Sequence, residues 1–142
     1  MKKFRTSRGV IVKSNLELKV ANQLEEGGIE YEYEKEKFEW IERISRGYCA
    51  NCGGRDVNQD RLYTPDFFLG CGPIIEVKGR LTTRDRKLLV GVRTSNPEID
   101  LRLVFDKNNR IRRGSATRYA DWAERQGFKY CLGGQIDKSW LQ

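Results

Sequence analysis

Residues 62–79 read LYTPDFFLGCGPIIEVKG, two apolar runs separated by Gly-Cys-Gly, with Asp66, Glu76 and Lys78 set into them. Side chains two apart on a strand share a face, so Glu76 and Lys78 project together while Ile75 and Val77 project to the other side. A three-residue loop at Gly70-Cys71-Gly72, with a glycine supplying the left-handed conformation such loops need, pairs Leu69 with Pro73. Counting back sets Phe68 against Ile74, Phe67 against Ile75 and Asp66 against Glu76. Opposed residues project to one side with Cβ atoms about 5 Å apart, so the register predicts one constellation of Asp66, Glu76 and Lys78. Two carboxylates that close repel each other and resist leaving water, and a hard divalent cation would offset both costs. The chain has no histidine. Oxygen donors alone favour Mg²⁺ or Mn²⁺ over zinc. A lysine beside such a cation can position a water or help deprotonate it, and the cation can polarise a phosphate, which together point to phosphodiester hydrolysis.

Upstream, the spacing predicts a helix from Ser14 to Glu26, with Ser14 as N-cap, Glu17 three residues later as its capping-box partner, and Gly27-Gly28 as its end. With Leu16 at 0°, Val20, Leu24 and Ala21 fall at about 40°, 80° and 140° on the helical wheel, and Glu17 falls inside that apolar arc at about 100°. Two roles for Glu17 stand: a cap alone, or a group facing the sheet as a further metal ligand or water-positioning acid. IEYEYEKEKFEW (29–40) alternates as a strand with one wet face until Phe38 and Trp40 change parity, which predicts a bulge or the strand's end. Residues 42–60 show no clear periodicity and read as loop-rich. Downstream come a helix from Thr82 or Thr83 to the Asn96-Pro97 stop and a strand at 100–105. A helix capped by Ser115 and ended by Gly127, a short strand around 128–132 and a C-terminal turn follow. The order predicts a small α/β sheet flanked by helices, with the strand at 100–105 parallel to the one at 74–79 through a helical crossover.

With 142 residues the chain is one domain's length, and no apolar run approaches the roughly 18 residues of a membrane span. The net charge of +7 is segregated: residues 25–42 hold eight glutamates against two lysines, while three blocks are basic. The first is an arm over 1–14 with Lys2, Lys3, Arg5, Arg8 and Lys13; the second adds Arg80, Arg84, Arg86, Lys87 and Arg93; the third adds Arg110, Arg112, Arg113 and Arg118. Such blocks serve either as solvated, solubilising surface or as the footprint of a nucleic acid.

YTPDFFL followed by EVKG resembles the P-D…(D/E)-x-K signature of restriction-endonuclease-like nucleases. NLELKVANQLEEGGIEYEYE, EVKGRLTTRDRK, NPEIDLRLVF and GSATRYADWAERQGFKY extend the resemblance to the phage endonuclease I family of Holliday-junction resolving enzymes. The resemblance implies a restriction-endonuclease-like fold, a single nuclease domain over 1–142, a domain-swapped homodimer, and branched DNA, above all four-way junctions, as partner. It implies Glu17, Asp66, Glu76 and Lys78 as the catalytic set. Asp66, Glu76 and the Val77 backbone carbonyl would hold the metal, with Glu17 arriving from the other chain, and the basic blocks would hold DNA backbone. The basic start lacks the apolar core of a secretory signal, so a cytoplasmic location is expected, in the host cytosol if the chain is phage-encoded. The rival expectations are another nuclease of the same superfold, of mismatch-repair or restriction type, and a non-catalytic zinc-containing DNA-binding protein.

Residues 42–60 depart from the family pattern as a Cys-containing insertion or bridge with Cys49-x-x-Cys52. Three readings of that pair stand: a structural zinc site completed across a dimer axis or with Cys71 and Cys131, free thiols, and a disulfide. Trp40, Trp122 and Trp140 read as packing residues, and Tyr63 and Phe67 as walls of the site.

Overall fold

The computed structural model describes residues 2–45, 56–70 and 72–141. The zinc, thiol and disulfide readings of Cys49, Cys52 and Cys71 therefore lie outside the described residues. The chain opens on a small antiparallel pair, β1 (Phe4–Arg5) and β2 (Ile11–Val12), followed by α1 (Asn15–Glu26) and β3 (Glu32–Tyr33). A long antiparallel ribbon of β4 (Phe38–Ser45) and β5 (Asp56–Tyr63) leads into β6 (Phe67–Phe68) and β7 (Ile74–Lys78). Then come α2 (Thr83–Ser95), β8 (Leu101–Phe105), α3 (Tyr119–Gln126), β9 (Lys129–Cys131) and a 3₁₀ turn at Lys138–Leu141. Among the described residues no helix is long and apolar enough to cross a membrane.

The central sheet has the order β3-β6-β7-β8-β9. Its first three strands are antiparallel neighbours and its last three are parallel, so the sheet is mixed, as the sequence order implies. The hairpin register is the one counted from the sequence: Phe68 pairs Ile74, Phe67 pairs Ile75, and the Leu69 N–H donates to the Pro73 carbonyl at 3.1 Å. Gly70 supplies the left-handed backbone at φ 68°. Alternation then sorts the core. Phe67, Ile75, Val77 and Val104 pack with Val20, Ala21 and Leu24 of α1, while Ile74, Leu101, Leu103 and Phe105 pack with Leu89 and Val92 of α2 and Trp122 of α3. All three tryptophans are buried in this packing.

Three expectations need correction. Residues 42–60 are not loop-rich throughout, because β4 runs to Ser45 and β5 begins at Asp56, in register from Phe38–Tyr63 to Ser45–Asp56. The ribbon carries apolar groups on both faces, with Trp40 inward and Ile41 and Leu62 exposed, so no clean alternation marks it in sequence. Its position is set by docking on α2, where Trp40 lies against the backbone of Gly91. A second correction concerns α3, which starts after Arg118 rather than at Ser115: the Asp121 carboxylate accepts the Arg118 N–H at 2.9 Å, and the Asn108 side chain accepts the Ala120 N–H at 2.9 Å. The Ser115 hydroxyl instead accepts the Thr117 N–H and closes a local turn. The strand read over 29–40 is not continuous either: β3 holds only Glu32–Tyr33 and ends at Glu34, where φ is 51°, and Phe38 opens β4.

Gly91→Ala tests the docking. A methyl group at Gly91 would stand 2.6 Å from Cε3 of the Trp40 ring. Helix propensity favours alanine by at most about 1 kcal/mol, whereas overpacking costs about 1–3 kcal/mol. Urea unfolding should therefore show a net loss of stability; an unchanged or raised midpoint would contradict this packing.

Candidate active site

Asp66 stands immediately before β6 and carries two backbone links. Its carbonyl accepts the Glu34 N–H at 3.0 Å, and its carboxylate accepts the Val77 N–H at 2.8 Å. Glu76 comes from β7, with one carboxylate oxygen held by the Tyr63 hydroxyl and the other 3.4 Å from the Lys78 ammonium. Asp66 and Lys78 both lie near enough to Glu76 to feel its charge, but the β6–β7 ladder ends at Phe67–Ile75, and the Asp66 carboxylate groups with Glu17 and Glu34 rather than with Glu76. Tyr63 walls the site as expected, but Phe67 points into the opposite core, where its ring packs against Tyr31 and Tyr33.

Glu17 is buried and reaches the same place from α1. Its carboxylate accepts the Tyr33 hydroxyl, the Ser14 hydroxyl and the Lys13 N–H, each at 3.1 Å, while the Ser14 hydroxyl caps the helix by accepting the Glu17 N–H. The Glu17 carboxylate thus takes the Lys13 N–H rather than the Ser14 N–H that a capping box would give it, and it faces Asp66 instead of acting as a cap alone. Glu17, Glu34 and Asp66 each present a carboxylate oxygen within 4.8 Å of the others. The chain itself brings Glu17 to Asp66, where the resemblance assigned that contact to a second chain. Glu34 was missing from the sequence-based set: it is one of four alternating glutamates, and only its left-handed backbone singles it out. The Lys13 ammonium sits 2.7 Å from Glu34.

The electrostatics are those of a site with surplus negative charge. Burial first, then the charge of Glu76, pushes the Asp66 carboxyl well above the ordinary carboxylate range, against the opposing Val77 N–H. Burial also raises Glu76, outweighing Lys78 and the Tyr63 hydroxyl. Burial would lower Lys78, but Glu76 and Asp85 together hold its ammonium above the usual lysine value. An all-oxygen donor set with this unrelieved charge fits a hard divalent cation, as in the trio of Glu17, Glu34 and Asp66.

The basic residues divide. Arg86 donates to the Leu81 and Ile111 carbonyls, Lys87 to the Arg43 carbonyl and Arg118 to the Asn108 carbonyl. Arg93 donates to the Gln126 carbonyl and lies 4.2 Å over the Phe128 ring. Arg8 donates to the Ile29 carbonyl and pairs with Glu30, and Lys13 pairs with Glu34. Those six hold the fold together. By contrast Arg80, Arg84, Arg110, Arg112 and Arg113 line one open cleft of about 760 Å³, drawing the second and third basic blocks into a single surface.

A family model described as phage endonuclease I matches residues 1–142. The chain belongs to the phage endonuclease I family. It is 36% identical over 127 residues to endodeoxyribonuclease 1 of Enterobacteria phage T3, covering 89% of this chain and 74% of that protein. It is 35% identical over 119 residues to endonuclease I of Escherichia phage T7, covering 83% of this chain and 70% of that one.

The raised carboxyls of this endonuclease I family member set a sign for stability against pH. Below the ordinary carboxylate range both folded and unfolded chains hold these protons, and no penalty is felt. As pH rises above it the unfolded chain releases them first, so the folded chain binds more protons and loses stability until Asp66 and Glu76 ionise. Asp66→Asn keeps an oxygen for the Val77 N–H and removes one charge. In EDTA at neutral pH it should raise the melting temperature by several degrees, a gain that shrinks toward pH 4. A lower melting temperature at neutral pH would contradict the charge surplus.

Proposed function

We propose that this chain is a divalent-metal-dependent endodeoxyribonuclease that resolves branched DNA, four-way junctions above all, as a homodimer. The observation that carries the reading is the approach of Asp66 and Lys78 to Glu76, with Glu17 beside Asp66, in a member of the phage endonuclease I family. The mixed sheet with α1 on one face and α2 and α3 on the other supports a restriction-endonuclease-like fold.

Asp66, Glu76 and the Val77 carbonyl would hold Mg²⁺ or Mn²⁺, with Glu17 as a further ligand and Glu34 beside it. When bound, the cation supplies Lewis acidity at the scissile phosphate and lowers the pKa of a water. The Lys78 ammonium orients the attacking water and balances charge developing on the phosphate. Tyr63 fixes the Glu76 carboxylate, and Tyr33 fixes Glu17. The cleft arginines hold DNA backbone without reading sequence, since phosphate contacts position a duplex rather than specify it. The expected site of action is the cytoplasm, the host cytosol if the chain is phage-encoded.

A domain-swapped dimer exchanges identical elements, so a swap would rebuild between chains the Glu17–Asp66 approach that the single chain makes internally. Co-refolding Glu17→Gln with Asp66→Asn separates the arrangements. In a swapped heterodimer one site regains both wild-type residues, so junction cleavage absent from each variant alone should return in the mixture. Continued inactivity of a verified heterodimer would contradict the swap.

Cleavage of a synthetic four-way junction should require Mg²⁺ or Mn²⁺, stop in EDTA, and greatly exceed cleavage of a matched linear duplex. Sequence-specific cutting of the linear duplex with no junction preference would overturn the substrate assignment. Junction affinity should fall steeply with salt, and Arg112→Ala should lower the log–log slope by about one. An unchanged slope would remove that arginine from the DNA surface.

A further inference from the structure

The Lys78 ammonium lies between two carboxylates from different elements: Glu76 on its own strand at 3.4 Å and Asp85 of α2 at 3.3 Å. Both distances exceed those of a fully formed charge-assisted hydrogen bond, about 2.7–2.9 Å, so the ammonium is shared rather than captured. Asp85 divides its two oxygens. Oδ1 faces Lys78, while Oδ2 accepts the Thr82 N–H at 2.9 Å and the Thr82 hydroxyl at 2.8 Å, completing the capping box that starts α2. The carboxylate is therefore immobilised by the helix it caps and cannot swing away from the lysine. With side chains 23% and 24% exposed, Lys78 and Asp85 form a pair that solvent screens less than a surface ion pair.

We propose that Asp85 is the positioning residue for Lys78, anchoring the ammonium to the first turn of α2 when Glu76 is engaged with a cation. The proposal rests on the nuclease reading, in which Lys78 acts beside the scissile phosphate. A divalent cation at Glu76 would neutralise the carboxylate that shares Lys78 and add repulsion of like sign, both of which loosen the lysine. Of its two carboxylate partners, Asp85 alone then keeps its charge. Thr82-x-x-Asp85 thus joins two functions in one motif: Thr82 and Oδ2 fix the helix, and Oδ1 fixes the catalytic lysine.

The test separates those functions with three variants. Asp85→Asn retains a cap acceptor and removes the charge; Thr82→Ala removes the hydroxyl of the cap and leaves the charge; Asp85→Glu restores a carboxylate that a capping box accommodates. Asp85→Asn should slow single-turnover junction cleavage on the order of 10²-fold, the scale of a misplaced catalytic group. Its junction affinity in Ca²⁺ should stay within about twofold, well inside the factor of ten that a 1.4 kcal/mol loss would bring. Asp85→Glu should recover part of the lost rate. Thr82→Ala should lower the melting temperature yet cleave far faster than Asp85→Asn. Independently of turnover, amine acylation in Ca²⁺ without DNA, read by peptide mass spectrometry with exposed Lys107 as internal standard, should label Lys78 faster in Asp85→Asn than in wild type or Thr82→Ala. Wild-type cleavage and labelling in Asp85→Asn would overturn the proposal. So would a Thr82→Ala variant that reproduces its loss of rate, because the role would then be capping alone. Failure of the wild type to cleave any junction would instead strike the nuclease reading.

Discussion

Asp66 is where the two parts of this molecule are tied together. Its backbone carbonyl closes the β3–β6 pairing through Glu34, its carboxylate holds the N–H of Val77 in β7, and Glu17 of α1 comes within ligand distance of it. Chain order, sheet register and the helix face all converge on one buried acid. Burying it raises its pKa, so the residue that fixes the geometry is also the one whose ionised form the metal-free fold tolerates least. Structural constraint and chemical readiness for a cation are the same fact seen from two sides.

Charge elsewhere is arranged to complement that centre. Acids concentrate in α1, β3 and the segment after them, whereas five arginines without partners among the described residues meet in one cleft beside the start of α2. Six other basic groups of the same three blocks are engaged in backbone carbonyls, ion pairs or a ring face, so net charge alone overstates the surface free for a polyanion. An arginine that ties a loop to a helix and one that faces solvent look identical in composition. Only the fold distinguishes them.

What could be read from sequence followed strict local rules. The period of two in IIEVK, with Gly at both ends of a three-residue loop, fixed the hairpin register as far as Phe67–Ile75 and set Glu76 and Lys78 together, with Asp66 just beyond the ladder's end. The Ser14 cap and the apolar arc of α1 placed Glu17. What was illegible depended on distant partners. DVNQDRLY (56–63) is too polar to announce a strand and becomes one by pairing with 38–45, whose Trp40 docks on α2. Ser115 lost the start of α3 because Asn108 and Asp121 supply the acceptors from elsewhere. Glu34 entered the acidic trio through a left-handed backbone that its neighbours in sequence do not signal. Asp85 did carry a signal, the Thr-x-x-Asp capping pattern, but its second use for Lys78 required the helix and strand to be side by side.

The central claim, that the buried carboxylates form a cation site, is tested most directly by calorimetric titration of Mn²⁺ into DNA-free protein. The titration is run at neutral pH. The account predicts saturable binding, and loss of that binding in Asp66→Asn. No saturable binding, or undiminished binding in the variant, would contradict it.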